Sequence, residues 1–180
     1  VLYGRAMELI NDEDLGGADA LLNKILKDPN NAQVLPATHF WKGEIAYRRN
    51  QLDEAIKHYN NYLSAPSYQA GEVNEAHARY NLGYCYLRKE NYKVAQGFFD
   101  QVAKPVSLNS SDLVQDAYLR SADCAFMNRE FEKSRSMYNT AINYSWPASD
   151  YATYQLAMIA GVKRKNKKVR ILESFERKYP

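Results

Sequence analysis

The stretch Tyr80-Asn81-Leu82-Gly83-Tyr84-Cys85-Tyr86, followed by Tyr92-Lys93-Val94-Ala95-Gln96-Gly97-Phe98-Phe99, decides how this chain folds. Leu82, Cys85 and Tyr86 recur at i, i+3, i+4, and so do Ala95, Phe98 and Phe99, the period of a helix with one apolar face. A small residue, Gly83, stands 12 positions before another, Ala95, and the aromatic Phe99 follows 4 later. Working outward, Gly43, Ala55 and Tyr59 repeat this spacing, as do Ala122, Ser134 and Tyr138. Weaker copies stand at Ala6, Ala18, Leu22 and at Ala157, Val169. Successive copies are 37, 40, 39 and 35 residues apart, the self-similarity of a helical repeat array.

Proline punctuates the same rhythm. Pro29, Pro66, Pro105, Pro147 and Pro180 fall where copies end, while Pro36 suits the first turn of a helix. Ser110, Ser111 and Asp112 read as one helix start, Ser149 and Asp150 as another. No alternating run bounded by turn residues predicts a strand. Each copy therefore predicts two antiparallel helices of roughly 12–18 residues, turning near Asn50, Asn91 or Arg129. Glycine or alanine at the crossing lets two backbones approach, and the aromatic fills the space beside it. Such a hairpin cannot bury its apolar flank alone, so copies stack. The expectation is an all-α chain: a right-handed α-solenoid of about five hairpins over residues 1–30, 31–67, 71–106, 110–146 and 148–180, forming one domain.

Composition agrees. The 180 residues are 46% hydrophobic and 25% charged, values of a folded chain. Two cysteines exclude a disulfide scaffold. The longest weakly polar stretch, 151–162, is too short to cross a bilayer, so no transmembrane segment is expected. The net charge of +3 is local: Lys163, Arg164, Lys165, Lys167, Lys168 and Arg170 supply six positive charges within eight positions, leaving the rest of the chain negative. This run is expected in the turn of the last hairpin. No aromatic residue interleaves its charges, and no nucleic-acid partner is expected.

The order small residue, alanine, aromatic, proline resembles the tetratricopeptide repeat. Three clear copies and two degenerate ones cover nearly the whole chain. The period exceeds the family's usual length, so longer loops are expected at Ala65–Gly71 and Lys104–Ser110. Longer-period arrays resemble those of bacterial cell-envelope proteins, including Tol-Pal-associated and outer-membrane assembly factors, and that resemblance implies a periplasmic or outer-membrane-associated setting. The family also implies a concave groove lined by the first helix of each hairpin. Carried onto this chain, the groove holds Phe40, Glu44, Tyr47 and Arg48, then His77, Tyr80, Tyr84 and Arg88. Asp116, Arg120, Asp123 and Phe126 follow, and last Tyr151, Tyr154 and Met158. Tyrosine brings rigid contact area with a polar tip, and arginine a planar donor fork, so Tyr80, Tyr84 and Arg88 are placed at its centre. The chaperone-tail subtype does not fit. Asn81 and Arg120 match its carboxylate clamp, but Phe40, Glu44 and Asp116 occupy the remaining positions, and two carboxylates repel a third.

Chemistry beyond binding finds little support. Cys85 and Cys124 hold the same place in adjacent repeats, about 10 Å apart by helix-packing distance, too far for a disulfide. Glu54 and His58 are spaced i, i+4, but no further ligand accompanies them, and His39 and His77 stand apart, so no metal or other cofactor is expected. No nucleophile triad, phosphate loop or paired-carboxylate motif occurs, so no catalytic residue is assigned. The expected function is a non-catalytic scaffold binding a protein or peptide segment in the groove. The alternative is a structural spacer or self-assembling segment, associating weakly through its ends. Tyr179-Pro180 resembles a repeat junction, and Val169, Ile171, Leu172 and Phe175 lack a polar cap, so the chain is expected to be part of a longer array.

Overall fold

Helices make this fold, and the computed structural model describes them over residues 1–65 and 68–178. They are α1 (Leu2–Asn11), α2 (Leu15–Lys27), α3 (Leu35–Arg48), α4 (Leu52–Ser64), α5 (Glu75–Arg88), α6 (Tyr92–Val102), α7 (Asp112–Met127), α8 (Phe131–Asn143) and α9 (Ser149–Lys178). A 3-10 turn, Pro29–Val34, precedes α3, which carries Pro36 in its first turn. No strand occurs among the described residues. Pro66, Tyr179, Pro180 and the Phe175 side chain lie outside them.

The chain forms two compact units, Val1–Val102 and Ala103–Pro180. In the first, each helix from α1 to α6 packs on the next; in the second, α7 packs on α8 and α8 on α9. Hairpins α1/α2, α3/α4, α5/α6 and α7/α8 are the predicted copies.

Their turns share one backbone solution. Glu13, Asn50, Glu90 and Arg129 all adopt left-handed φ, at 60°, 60°, 58° and 63°. Each lies seven residues after its hairpin's first small residue and five before its second. The next residue's N–H reaches back five positions: Asp14 to Leu9, Gln51 to Ala46, Asn91 to Tyr86 and Glu130 to Ala125, at 2.8–2.9 Å. This closure satisfies the last carbonyls of the first helix and reverses the chain. The sequence places Asn50 and Arg129 correctly. In the third hairpin Glu90, not Asn91, takes the left-handed position, because the distance to Ala95 fixes the register.

The small residues are where contact demands them. A Cβ on Gly43 would meet the Tyr59 ring at 2.9 Å, and one on Gly83 the Phe99 ring at 2.6 Å. At the α7/α8 crossing Ala122 and Ser134 are both fully buried, and Ser134 Oγ donates to the Ala122 carbonyl at 2.9 Å. One core gathers Phe40, Tyr59, Tyr62, Leu82 and Cys85; another gathers Leu119, Tyr138, Trp146 and Ile159. The thiols of Cys85 and Cys124 are buried and free, and burial pushes that of Cys85 up to about 12, leaving it inert at neutral pH.

The last copy departs from expectation. Residues 149–178 are one continuous helix rather than a hairpin, so the basic run lies along α9 and not in a turn. The reason is local. Lysine and arginine are good helix formers, no proline interrupts 148–179, and Gly161 adopts no left-handed φ. Ala157 and Val169 imitate the repeat spacing but have no second helix to cross.

Candidate functional site

In the first unit, α3 and α5 present neighbouring faces. Glu44 accepts from Arg48 Nε at 2.8 Å and from the Tyr59 hydroxyl at 3.1 Å, and Asn81 Nδ2 donates to that hydroxyl at 3.0 Å. The Arg88 guanidinium lies 4.9 Å from the Tyr47 ring centroid, while its Nη1 reaches the Tyr47 carbonyl at 3.4 Å. Along α5 the rings step from His77 to Tyr80 (6.4 Å) and Tyr84 (5.0 Å), and Tyr84 meets Phe99 edge-on at 5.3 Å. Asn74 caps the helix below them, its Oδ1 accepting from the His77 N–H. Arg48 and Arg88 are exposed and the other α3 and α5 candidates half-buried, with one exception.

That exception is Phe40. It is 2% exposed and sits edge-on to Trp41, Tyr59 and Tyr62, so it is core rather than groove. Leu119, at the equivalent place in α7, is equally buried, whereas Tyr80 at that place in α5 stays half-buried.

The second unit gathers its polar contacts on one acid. Asp123, on α7, accepts from Arg120 Nη1 at 2.6 Å, from the Tyr151 hydroxyl at 2.8 Å and from the Tyr138 hydroxyl. Asp116 also reaches Arg120, at 3.5 Å, and the guanidinium lies 5.0 Å from the Tyr151 ring centroid. Burial lifts the Asp123 carboxyl above the usual carboxylate range, against the pull of Arg120 and the tyrosine hydroxyls. Burial and Asp123 together push Tyr151 up to about 12, so both hydroxyls remain donors. Beside this network Asp123, Phe126, Met127, Tyr138, Tyr151 and Gln155 line an open cavity of about 220 Å³. Met127 is 49% exposed, as are Tyr154 (61%) and Met158 (45%) on α9.

Within each unit the structure therefore brings together most of the side chains proposed for the groove. It also assigns them tasks the sequence reading missed: Glu44 and Asp123 each accept the hydroxyl of the second-helix tyrosine. Tyr138, read only as core, Met127 and Gln155 join the cavity lining. Comparing repeats shows the signal, since an acid directly follows the small residue wherever the later aromatic keeps its hydroxyl.

The histidines hold a further surprise. His39 and His58 face each other with Nδ1 atoms 3.0 Å apart, and Glu54 lies 3.9 Å from His58 Nε2. Burial, His39 and Lys42 hold His58 down to about 4, so the pair is neutral at pH 7. Nearby, Lys42 Nζ binds Asp19 at 2.5 Å beside a cavity of only about 60 Å³, room for water and not for a ligand side chain. Among the described residues no three His, Cys, Asp or Glu side chains are placed to hold a metal ion. No described helix is long and apolar enough to cross a membrane.

Residues 3–72 match the tetratricopeptide repeat family. No curated protein sequence matches the chain. Among solved structures, the apo form of RapI superposes over 95% of this chain with a TM-score of 0.70 at 14% identity, a likeness of fold alone. The chain spans 65% of that protein's length. Over residues 3–72 the matched segment and the helical hairpins agree on tetratricopeptide repeats, a repeat type of the general class that scaffolds protein interactions.

Proposed function

We propose that the chain is a non-catalytic scaffold that takes up an extended segment of a partner protein on its first-helix faces, with the α7–α8–α9 cavity as an anchor. The cavity carries this reading. The hollow is open to solvent, and its 220 Å³ leaves room for one aliphatic or aromatic side chain laid against its wall. Phe126, Met127 and the two tyrosine rings supply its apolar walls. Asp123 is already satisfied by three donors, so it fixes the wall and leaves shape and apolar contact to choose the guest. Taken by itself, the first unit offers a partner segment the Tyr80–Tyr84 ladder as stacking area and Arg88 as a cation. The longer repeat period supports a cell-envelope setting, which fractionation of the native protein tests.

Selection of displayed peptides against the chain tests the anchor. Selected peptides should share one large apolar residue, and Met127→Lys should weaken them at least tenfold while Met127→Leu leaves them intact. Binding that ignores Met127→Lys in a folded variant removes the cavity from the site. Failure to select any peptide favours the structural-spacer reading.

A further inference from the structure

Away from the first-helix faces, α9 carries a cationic stripe that the scaffold reading does not use. Lys163, Asn166, Lys167 and Arg170, at i, i+3, i+4 and i+7, fall on one side of the helix. With Phe131 from the start of α8 they line an open cleft of about 480 Å³. One end already holds a carboxylate: Glu132 pairs with Lys163 Nζ, and Arg135 Nη2 holds it at 2.8 Å. Lys163 above all keeps the Glu132 carboxyl below its usual range, although Glu132 is exposed. Lys167 and Arg170 make no ion pair among the described residues and are exposed. Phe131, half-buried against Phe126 at 5.6 Å, supplies an apolar wall beside the charges.

We infer that the cleft between Phe131 and the Lys163–Lys167–Arg170 stripe docks an acidic protein segment, one that sets carboxylates on Lys167 and Arg170 and an apolar side chain on Phe131. Successive cations on the stripe are about 4.5–6 Å apart along the axis. That matches carboxylates three or four apart on a helix, or two apart on an extended chain. An anionic membrane fits less well. Val169 and Leu172 are exposed on the other side of α9, but Lys165 falls between them around the helix and breaks the apolar face. A nucleic-acid duplex fits less well too, since its bases are stacked away and its backbone offers nothing apolar to Phe131.

Fluorescence anisotropy with a labelled 12-residue peptide of alternating Glu-Glu-Leu tests this at low salt and again at several hundred millimolar. Binding is expected at low salt and should fall at least tenfold at high salt. Lys167→Glu with Arg170→Glu should abolish it, Phe131→Leu should weaken it several-fold, and Lys165→Glu, on the opposite side, should change it less than threefold. Circular dichroism confirms that each variant stays helical. No binding by the intact chain overturns the proposal. So does an equal loss in Lys165→Glu, which marks a diffuse charge effect, or tighter binding to phosphatidylserine vesicles or duplex RNA than to the peptide. Met127→Lys should leave this binding unchanged, which separates it from the anchor cavity.

Discussion

Hairpins α3/α4 and α5/α6 have first helices of equal length, the same turn geometry and the same glycine crossing, yet they fill that crossing differently. In α3/α4 the second-helix aromatic is Tyr59, its hydroxyl tied to Glu44 and Asn81. In α5/α6 it is Phe99, and the Glu44 position holds Tyr84, edge-on to the Phe99 ring. Hairpin α7/α8 returns to the polar form with Asp123 and Tyr138, and widens the crossing to Ala122. Steric fit at the crossing is thus fixed by the repeat, while the chemistry on the face above it is free to vary. That freedom lets neighbouring hairpins carry an acid in one place and an aromatic ladder in the next.

The sharpest way to break this comparison is to add one methyl at each crossing. Gly83→Ala puts a carbon within 2.6 Å of a fully buried ring that has no room to withdraw, so about 3 kcal/mol should be lost. Gly43→Ala, at 2.9 Å from Tyr59, should cost less, about 2 kcal/mol. Urea unfolding reads both. Equal and negligible losses would mean that the hairpins open without cost, and the repeat would lose its steric basis.

A second difference is pH. Only α3/α4 faces a histidine pair across its helices, with Lys42 and Lys57 adding positive charge and Glu54 the nearest carboxylate. Burial lowers His39, and holds His58 at about 4 against 6.5 when unfolded, so between those values the unfolded chain binds more protons than the folded one. Stability from the neutral pair is therefore complete above pH 6.5 and is lost progressively as pH falls toward 4. Melting curves across this range should show a steeper acid loss for the native chain than for His58→Gln. Identical slopes would remove the pair from the ledger of α3/α4.

Smaller still is the value of one hydroxyl. Tyr138→Phe should cost about 1 kcal/mol by leaving Asp123 one donor short, and Tyr59→Phe about the same through Glu44 and Asn81. Phe99→Tyr tests the converse, adding a hydroxyl at a crossing whose acid is replaced by Tyr84. If Phe99→Tyr stabilises while Tyr138→Phe is silent, acid and hydroxyl are not a matched pair.

These contrasts mark what the chain's pattern reveals and what it hides. Gly43, Gly83 and Ala122 were readable because close approach excludes larger side chains, and that constraint recurs at every copy. Pairings such as Glu44 with Tyr59 were not, because they span 15 residues and emerge only when the copies are compared side by side. Phe40 was misassigned to the groove because a family position carries no record of which way the side chain turns. The last hairpin failed for another reason: spacing alone, without a left-handed turn residue and a second aromatic, does not bend a lysine-rich helix. The basic stripe of α9 was visible as charge, but its Phe131 wall comes from α8, 32 residues before Lys163.

The turns offer the smallest effect and the finest version of the comparison. Asn50 and Glu90 hold the same left-handed position, at 60° and 58°. Asparagine visits that region readily because its short amide satisfies neighbouring backbone groups, whereas the longer glutamate carries the steric penalty of a Cβ near the next carbonyl. Glycine would remove the penalty, about 1–2 kcal/mol, but adds freedom to the unfolded chain worth about half to one. Glu90→Gly should therefore stabilise by roughly 0.5–1 kcal/mol, and Asn50→Gly should change stability by only a few tenths. Glu90 is exposed and forms no ion pair among the described residues, so little else changes with it. Urea midpoints of the two variants, with an unchanged slope, check this. A gain at Asn50 larger than at Glu90 would show that the turn's strain lies elsewhere than in the Cβ, and that these two hairpins differ in their turns as well as in their crossings.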